Sequence, residues 1–337
     1  MDVFYQFFLA FSVLFENYEY LALGVVALLA LLSTERKKVF LIALAVVLLL
    51  GVGLKAFYAE PRPCVSTPGL VDCPSGNGFP STHAAVAGVL AVAGLGTWFF
   101  FVLAPIAAMV AFSRIFLGVH SVPQVFAGLA LGAIAYLLVW HYFDRKERKG
   151  HEPLRKLAHV GGGIVVLGIG VFYGLQSAVV VSALAFAFGL VLSQFSLLKL
   201  FPRGRGFARF FDLMAGGEHP PARGGLGFFA GTIFLFTFAR SAEFALAVLA
   251  IMTIGDGLAA FVGRSGKHNL PWNKGKTLEG FLAFSLAGTG AAYFFIGPVP
   301  ALFYALLLGL FETLPLDVDD NVLIPVASLA LRKLAGI

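Results

Sequence analysis

Apolar runs of about 15 to 20 residues return along the whole chain, such as VFLIALAVVLLLGVGL at 39–54 and SAVVVSALAFAFGLVL at 177–192. A run of that length is long enough, or nearly so, to cross a bilayer as a helix. In hydrocarbon only structures that satisfy their own backbone polar groups survive. Charged residues make up 12% of the 337 positions, against roughly 25% in a soluble domain. The expected fold is therefore an all-α polytopic integral membrane protein, with about 11–13 transmembrane or interfacial helices in two helical bundles. Thirty-nine glycines and 36 phenylalanines suit close helix packing and lipid-facing bulk.

Spans are expected near 20–33, 38–54, 82–95, 98–112 and 124–142, and then near 159–174, 176–198, 225–238, 243–262, 278–296, 300–311 and 321–335. The opening MDVFYQFFLAFSVLF has an acidic start and no small-residue cleavage site after it, so no cleavable signal is expected. Residues 3–15 read as an interfacial segment or a short first span. The charged stretch DRKERKGHEPLRK separates a first domain, 1–143, from a second, 157–337, with 144–156 as linker. The net charge of +6 lies in basic loops at 34–38, 144–156, 199–209 and 263–276. The positive-inside rule puts such loops in the cytoplasm. This reading leaves 55–80 and the turn after Ser113 outside, and it calls for no nucleic-acid partner. Self-association stays open.

Three polar islands then share the outer side: KAFYAEPRP (55–63), PSTH (80–83) and SRIFLGVH (113–120). Phosphate-ester chemistry needs cations, a nucleophile and an acid for the leaving oxygen. Lys55, Arg62 and Arg114 offer charge, Ser81 opens a helix whose N–H groups suit an anion, and His83 and His120 offer a nucleophile and a proton donor. Taken singly, each has a plainer reading as a snorkelling cation or a satisfied core histidine. Cys64 and Cys73, the only cysteines, lie in the outer loop, either bridged or as two free thiols.

Lys55 with Arg62-Pro63, Pro80-Ser81-Thr82-His83, and Ser113-Arg114 with His120 resemble, in order, the three motifs of the type-2 phosphatidic-acid phosphatase and vanadium haloperoxidase superfamily, over about residues 20 to 142. The resemblance implies a phosphohistidine at His120, His83 as general acid, and Lys55, Arg62, Ser81 and Arg114 around the phosphate, with no metal. Thr82 stands where the pattern usually has glycine, and Gln124 where it has aspartate. An amide keeps the imidazole tautomer but lacks charge. The corresponding exchange in a serine-protease triad costs about four orders of magnitude. The expected site is slow, specialised, or reduced to a lipid-phosphate binder.

In the second half, Asp256 follows an apolar run between two glycines, and a carboxylate in such a place is a functional signal. It suits Mg²⁺ held by one or two carboxylates plus phosphate oxygens. Lys274, Lys276 and Thr277 form a basic, hydroxyl-bearing turn at a helix start, without the glycine spacing of a Walker loop. Taken singly, 263–276 is a topology loop and Asp319-Asp320 a solvated turn. Glu152, Arg155-Lys156 and His159, then Gly255-Asp256 with Ala259-Ala260 and Gly263-Arg264, then Lys276-Thr277 with Glu279-Gly280, and finally Glu312, Asp319-Asp320-Asn321 and Pro325 together resemble the dolichol kinase and phytol kinase family, over about residues 150 to 335. The resemblance implies transfer of the γ-phosphate of CTP to a polyprenol hydroxyl with Mg²⁺. Asp256 would hold the metal, Asp320 the metal or the proton, and Arg155, Lys156, His159, Arg264, Lys274, Lys276, Thr277 and Glu279 would serve nucleotide and phosphates. The whole then reads as a bifunctional enzyme of carrier-lipid recycling. Its rival is a CTP:lipid-phosphate cytidylyltransferase joined to a phosphate-binding domain, a class that also uses glycine-flanked acids in membrane helices.

Overall fold

The computed structural model describes residues 3–16, 34–143, 152–200, 221–316 and 318–335. The expected span at 20–33, most of the charged linker, the Arg155 side chain and the basic loop beyond residue 200 lie outside the described residues. The chain forms two compact units, Met1–Arg145 and Lys146–Ile337. Nearly every described element is helical. Six stretches among the described residues are long and apolar enough to cross a membrane: 36–58, 122–143, 156–173, 175–197, 242–263 and 278–296. Leu49, Phe172 and Phe294 turn outward with 75%, 81% and 83% exposure, which lipid accommodates and water would not.

In the first unit α1 (Val3–Leu14), α2 (Thr34–Tyr58), α3 (Thr82–Ala93), α4 (Phe100–Phe116) and α5 (Val122–Phe143) follow in order. The sequence of α3, THAAVAGVLAVA, is small on every side, so the helix is buried almost throughout and packs on α2, α4 and α5. Gly128 and Gly132 of α5, one turn apart, lie against the Ser81 and Ala85 carbonyls, where a Cβ would collide with backbone. This small-residue seam substitutes for the hydrophobic drive that lipid does not provide. Helix α1 docks its aromatic side against α4, with Phe8 contacting Phe112 and Phe116 at ring-centroid distances of 5.4 and 5.0 Å.

Helix α4 runs further than the sequence reading had it, through Arg114 to Phe116. The Arg114 guanidinium has buried acceptors, so the helix continues through the charge. The loop between α2 and α3 is closed by a Cys64–Cys73 disulfide, the bridged one of the two alternatives for those thiols. The loop lies on the α4–α5 turn through Leu70 N–H donating to the Leu117 carbonyl at 3.0 Å.

The second unit contains α6 (Glu152–Tyr173), α7 (Leu175–Leu197), α8 (Arg223–Phe238), α9 (Ala242–Ala250), a π-helical turn (Ile251–Gly255), α10 (Asp256–Gly263), strands β1 (Asn269–Leu270) and β2 (Asn273–Thr277), α11 (Leu278–Ile296), α12 (Pro298–Thr313) and α13 (Asp320–Leu334). The expected span 243–262 is thus interrupted by a wide turn immediately before Asp256. The basic 263–276 loop folds into an antiparallel hairpin, with Asn269 opposite Thr277. Thr277 caps α11 by accepting from Gly280 N–H at 3.2 Å.

Candidate functional site

Two charge clusters are present, one in each unit. In the first, α2 delivers Lys55, whose Nζ donates to the Asn77 carbonyl at 3.0 Å, while Asn77 Nδ2 donates to the Lys55 carbonyl at 3.0 Å. The loop between α2 and α3 delivers Arg62, which donates from Nε to Gly76 O at 3.2 Å and from Nη1 to the His120 Nε2 at 2.8 Å. Ser81 caps α3, and its own N–H donates to the Gln124 carbonyl at 2.9 Å. His83 sits in the first turn of α3, buried and within electrostatic reach of Arg114, Arg62 and Lys55. The three islands therefore converge, with Arg62, Ser81, His83, Arg114 and His120 buried and Lys55 half-buried at their edge.

Arg114, 1% exposed, is held by Ser113 of its own motif and by two residues the sequence did not single out. Its Nη1 donates to Glu16 Oε2 at 2.6 Å, its Nη2 to the Ser12 carbonyl at 3.0 Å, and both Nε and Nη2 to Ser113 Oγ at 3.0 Å. Glu16 thus pairs with the guanidinium at Nη1. His120 sits in the turn between α4 and α5. Burial, together with the nearby Arg62 charge, lowers its pKa to about 3. A neutral ring with a free electron pair is what nucleophilic attack on phosphorus requires.

In the second unit, Lys156 of α6 reaches both carboxylate oxygens of Asp256 at 2.6 Å, and His159 Nε2 lies 3.8 Å from Oδ2. Glycine makes that approach feasible. Gly163 receives the Thr253 side chain from the π turn, and a Cβ on Gly257 would stand 2.6 Å from Val160. An added residue in a helical turn rotates the rest of the helix by about 100°, so the π turn sets the direction in which Asp256 points. Opposite, the hairpin clasps the end of α12. Trp272 Nε1 donates to Thr313 Oγ1 at 3.2 Å and Asn273 Nδ2 to Thr313 O at 3.1 Å. That clasp brings Lys276 onto Glu312 as an ion pair and within 3.6 Å of Asp320. Glu312, one of the residues that carry the kinase resemblance but given no role there, is buried here at 5% exposure.

Lys156, His159, Asp256, Lys276 and Asp320 thus form one electrostatically connected group. The other second-half residues are placed differently. Lys274 is exposed on the hairpin. Thr277 donates its hydroxyl to Gly263 O at 3.3 Å in addition to its cap. Glu279 accepts from Lys267 N–H at 2.9 Å and pairs with His268 Nδ1 at 2.7 Å, bracing the hairpin. Arg264, at the end of α10, lines with Lys156, Leu157, Val160, Leu258 and Phe261 an apolar cleft of about 300 Å³. No group of three or more metal-ligating side chains occurs among the described residues. Asp256 and Asp320 in one cluster fit a Mg²⁺ ion that takes its remaining ligands from phosphate and water.

Residues 36–148 match the PAP2 superfamily. The chain is also similar to "Probable phytol kinase 2, chloroplastic" of Oryza sativa subsp. japonica, 28% identical over 247 residues, covering 64% of this chain and 79% of that protein. A second relative is "Probable phytol kinase 3, chloroplastic" of Glycine max, 23% identical over 233 residues, covering 62% and 71%. No solved structure matches the chain.

Proposed function

From a PAP2 superfamily domain joined to a part similar to phytol kinases, we propose a bifunctional prenyl-lipid enzyme, a phosphatase in its first unit and a nucleotide-dependent lipid-alcohol kinase in its second. One observation supports each half. In the first, His120 is neutral and meets the Arg62 guanidinium at 2.8 Å, so nucleophile and phosphate cation are already together. In the second, paired lysines and carboxylates lie beside an apolar cleft, where an isoprenoid tail would lodge with its hydroxyl toward the charges.

In the phosphatase, His120 Nε2 attacks phosphorus, the bond to the lipid oxygen breaks, and His83, protonated once the bound phosphate offsets the cations around it, gives that oxygen a proton. Water then attacks the phosphohistidine, His83 takes the water proton, and inorganic phosphate leaves. Arg62, Lys55 and Arg114 carry the phosphate charge once the anion displaces Glu16 from Arg114. In the kinase, the lipid hydroxyl oxygen attacks the terminal phosphorus of CTP. The bond to the bridging oxygen breaks, CDP leaves, and the hydroxyl proton passes to a carboxylate of the cluster. Lys276 and Lys156 supply cationic charge to the phosphates once their ion pairs open. Bound Mg²⁺ at Asp256 and Asp320 would supply further neutralisation of the polyphosphate.

Loop charge supports an outward phosphatase site and a cytoplasmic kinase site, and hence recycling of a carrier lipid across the bilayer. The test is purified protein in detergent with Mg²⁺, a polyprenol, and CTP labelled at the α or the γ position. Label from γ on the lipid, with CDP released, is expected. Transfer of α label to a lipid phosphate, with pyrophosphate released, would replace the kinase by a cytidylyltransferase.

A further inference from the structure

Gln124 is 1% exposed, and every polar atom of its amide is committed. Its Nε2 donates to Glu60 Oε1 at 2.9 Å and to the Pro61 carbonyl at 3.0 Å. Both partners are acceptors only, since the Glu60 carboxylate and a proline carbonyl have nothing to donate. The amide therefore cannot be turned over. Its Oε1 must face the other way, where it accepts Ser121 N–H at 3.3 Å and meets His120 Nδ1 at 3.0 Å. An oxygen acceptor there requires the His120 proton on Nδ1, which leaves the electron pair on Nε2. The second side of the ring agrees independently, because Arg62 Nη1 at 2.8 Å from Nε2 can only donate. The pocket around the amide is shaped to it. A Cβ on Gly78 would stand 2.6 Å from Gln124 Oε1, and Gly78 N–H donates to the Glu60 carbonyl at 2.7 Å.

We infer that Glu60 is a positioning residue for His120, acting through Gln124 so that an amide and a carboxylate in series do the work of a single carboxylate at position 124. The inference rests on the phosphatase reading of the first unit. Glu60 locks the amide, the amide locks the tautomer, and the Glu60 charge reaches the ring through a polarised amide as attack makes the imidazole positive. The same short segment, Glu60-Pro61-Arg62, thus serves both ring nitrogens of His120. A consequence separates this arrangement from a simply impaired site. Replacing Gln124 by aspartate puts two carboxylates against each other, and like charges at contact cannot both remain ionised. Gln124→Asp alone should therefore not raise activity. Glu60→Gln combined with Gln124→Asp restores one negative charge and one amide in reversed order.

The experiment measures hydrolysis of a polyprenyl phosphate by the full chain, its Glu60→Gln, Glu60→Ala and Gln124→Asp variants, and the Glu60→Gln/Gln124→Asp double variant. Alongside, ¹⁵N NMR of the His120 ring reads its tautomer. The expectation is a kcat about 10- to 100-fold lower for Glu60→Gln, with KM nearly unchanged. The Nδ1–H tautomer should be the sole form in the parent, and Glu60→Ala should mix it with Nε2–H in an Arg62→Ala background, where the donor that holds Nε2 unprotonated is gone. The double variant should be faster than Gln124→Asp. A gain in rate from Gln124→Asp alone, or a His120 tautomer that Glu60→Ala leaves unchanged in the Arg62→Ala background, would overturn the inference. A parent chain with no hydrolysis defeats the phosphatase reading instead, and the tautomer spectra still decide the role of Glu60.

Discussion

Lys156 and Asp256 show how much a single cation can hold in a buried place. Asp256 has a side chain 6% exposed and both oxygens on one ammonium. Removing Lys156 strands the buried Asp256 carboxylate, at about 3–5 kcal/mol, while an amide in place of the acid leaves only the Lys156 ammonium, 29% exposed and able to turn to other partners. Lys156→Ala should therefore lower the thermal midpoint in detergent far more than Asp256→Asn. Asp256→Asn should instead lower lipid-alcohol phosphorylation by about 10²- to 10⁴-fold. Equal destabilisation by the two variants would contradict the pairing. His120 gives a second expectation. Its pKa is lowered to about 3 by burial and Arg62, so protonation begins only as pH falls toward that value. Ring NMR at pH 5 should find it neutral, where an ordinary histidine with pKa near 6.5 is mostly charged. A midpoint near 6.5 would mean the ring is wet in solution. Lys55, Arg62, His83 and His120 were legible in the sequence because motif spacing marks them. Glu60 and Glu16 were not. Their partners stand 64 and 98 residues away, and a carboxylate beside a motif carries no local sign of which side chain it will meet.

Among the elements, α3 and α5 depend on absent side chains. At Gly132 a Cβ would meet the Ala85 carbonyl, a backbone atom that cannot swing aside. Gly132→Ala should consequently force the helices apart and destabilise the first unit by about 1–3 kcal/mol, read as a lower melting midpoint. Gly51 of α2, with open space around its Cβ position, is the control, and Gly51→Ala should be tolerated. Equal shifts for the two would mean that the seam does not hold the helices together. The apolar spans themselves were legible, since a bilayer imposes length and hydropathy on sequence. What sequence left hidden are the departures from a regular rod. The π turn at 251–255 has the same apolar composition as the helix it interrupts, and it arises where Gly255 and Thr253 meet facing helices. The 269–277 hairpin reads as one more basic loop until Trp272 and Asn273 find Thr313. Both departures position site residues, Asp256 in one case and Lys276 in the other.

For the whole molecule, the proposed function assigns one activity to each of the two compact units, and it therefore predicts that the activities are separable. His120→Ala should abolish phosphatase turnover and leave phosphorylation of the alcohol intact, and Asp256→Asn should do the reverse. The cysteine pair adds a chemical handle, because Cys64–Cys73 closes the loop that presents Arg62 while the second unit's described residues contain no cysteine. A reductant should therefore depress only the phosphatase. Sidedness comes from charge rather than from packing. On the proposed reading, the positive-inside rule puts the basic loops at 34–38 and 263–276 in the cytoplasm and the 55–80 loop across a hydrocarbon layer of roughly 30 Å. In sealed inside-out vesicles, CTP added outside should support the kinase without detergent, since neither CTP nor its site has to cross the bilayer. A charged short-chain phosphate substrate should be hydrolysed only after the vesicles are opened. Right-side-out vesicles must show the converse. If both activities respond to reagents on the same side, the two sites share a face, and the chain would turn the lipid over at one surface instead of linking the two sides of the membrane.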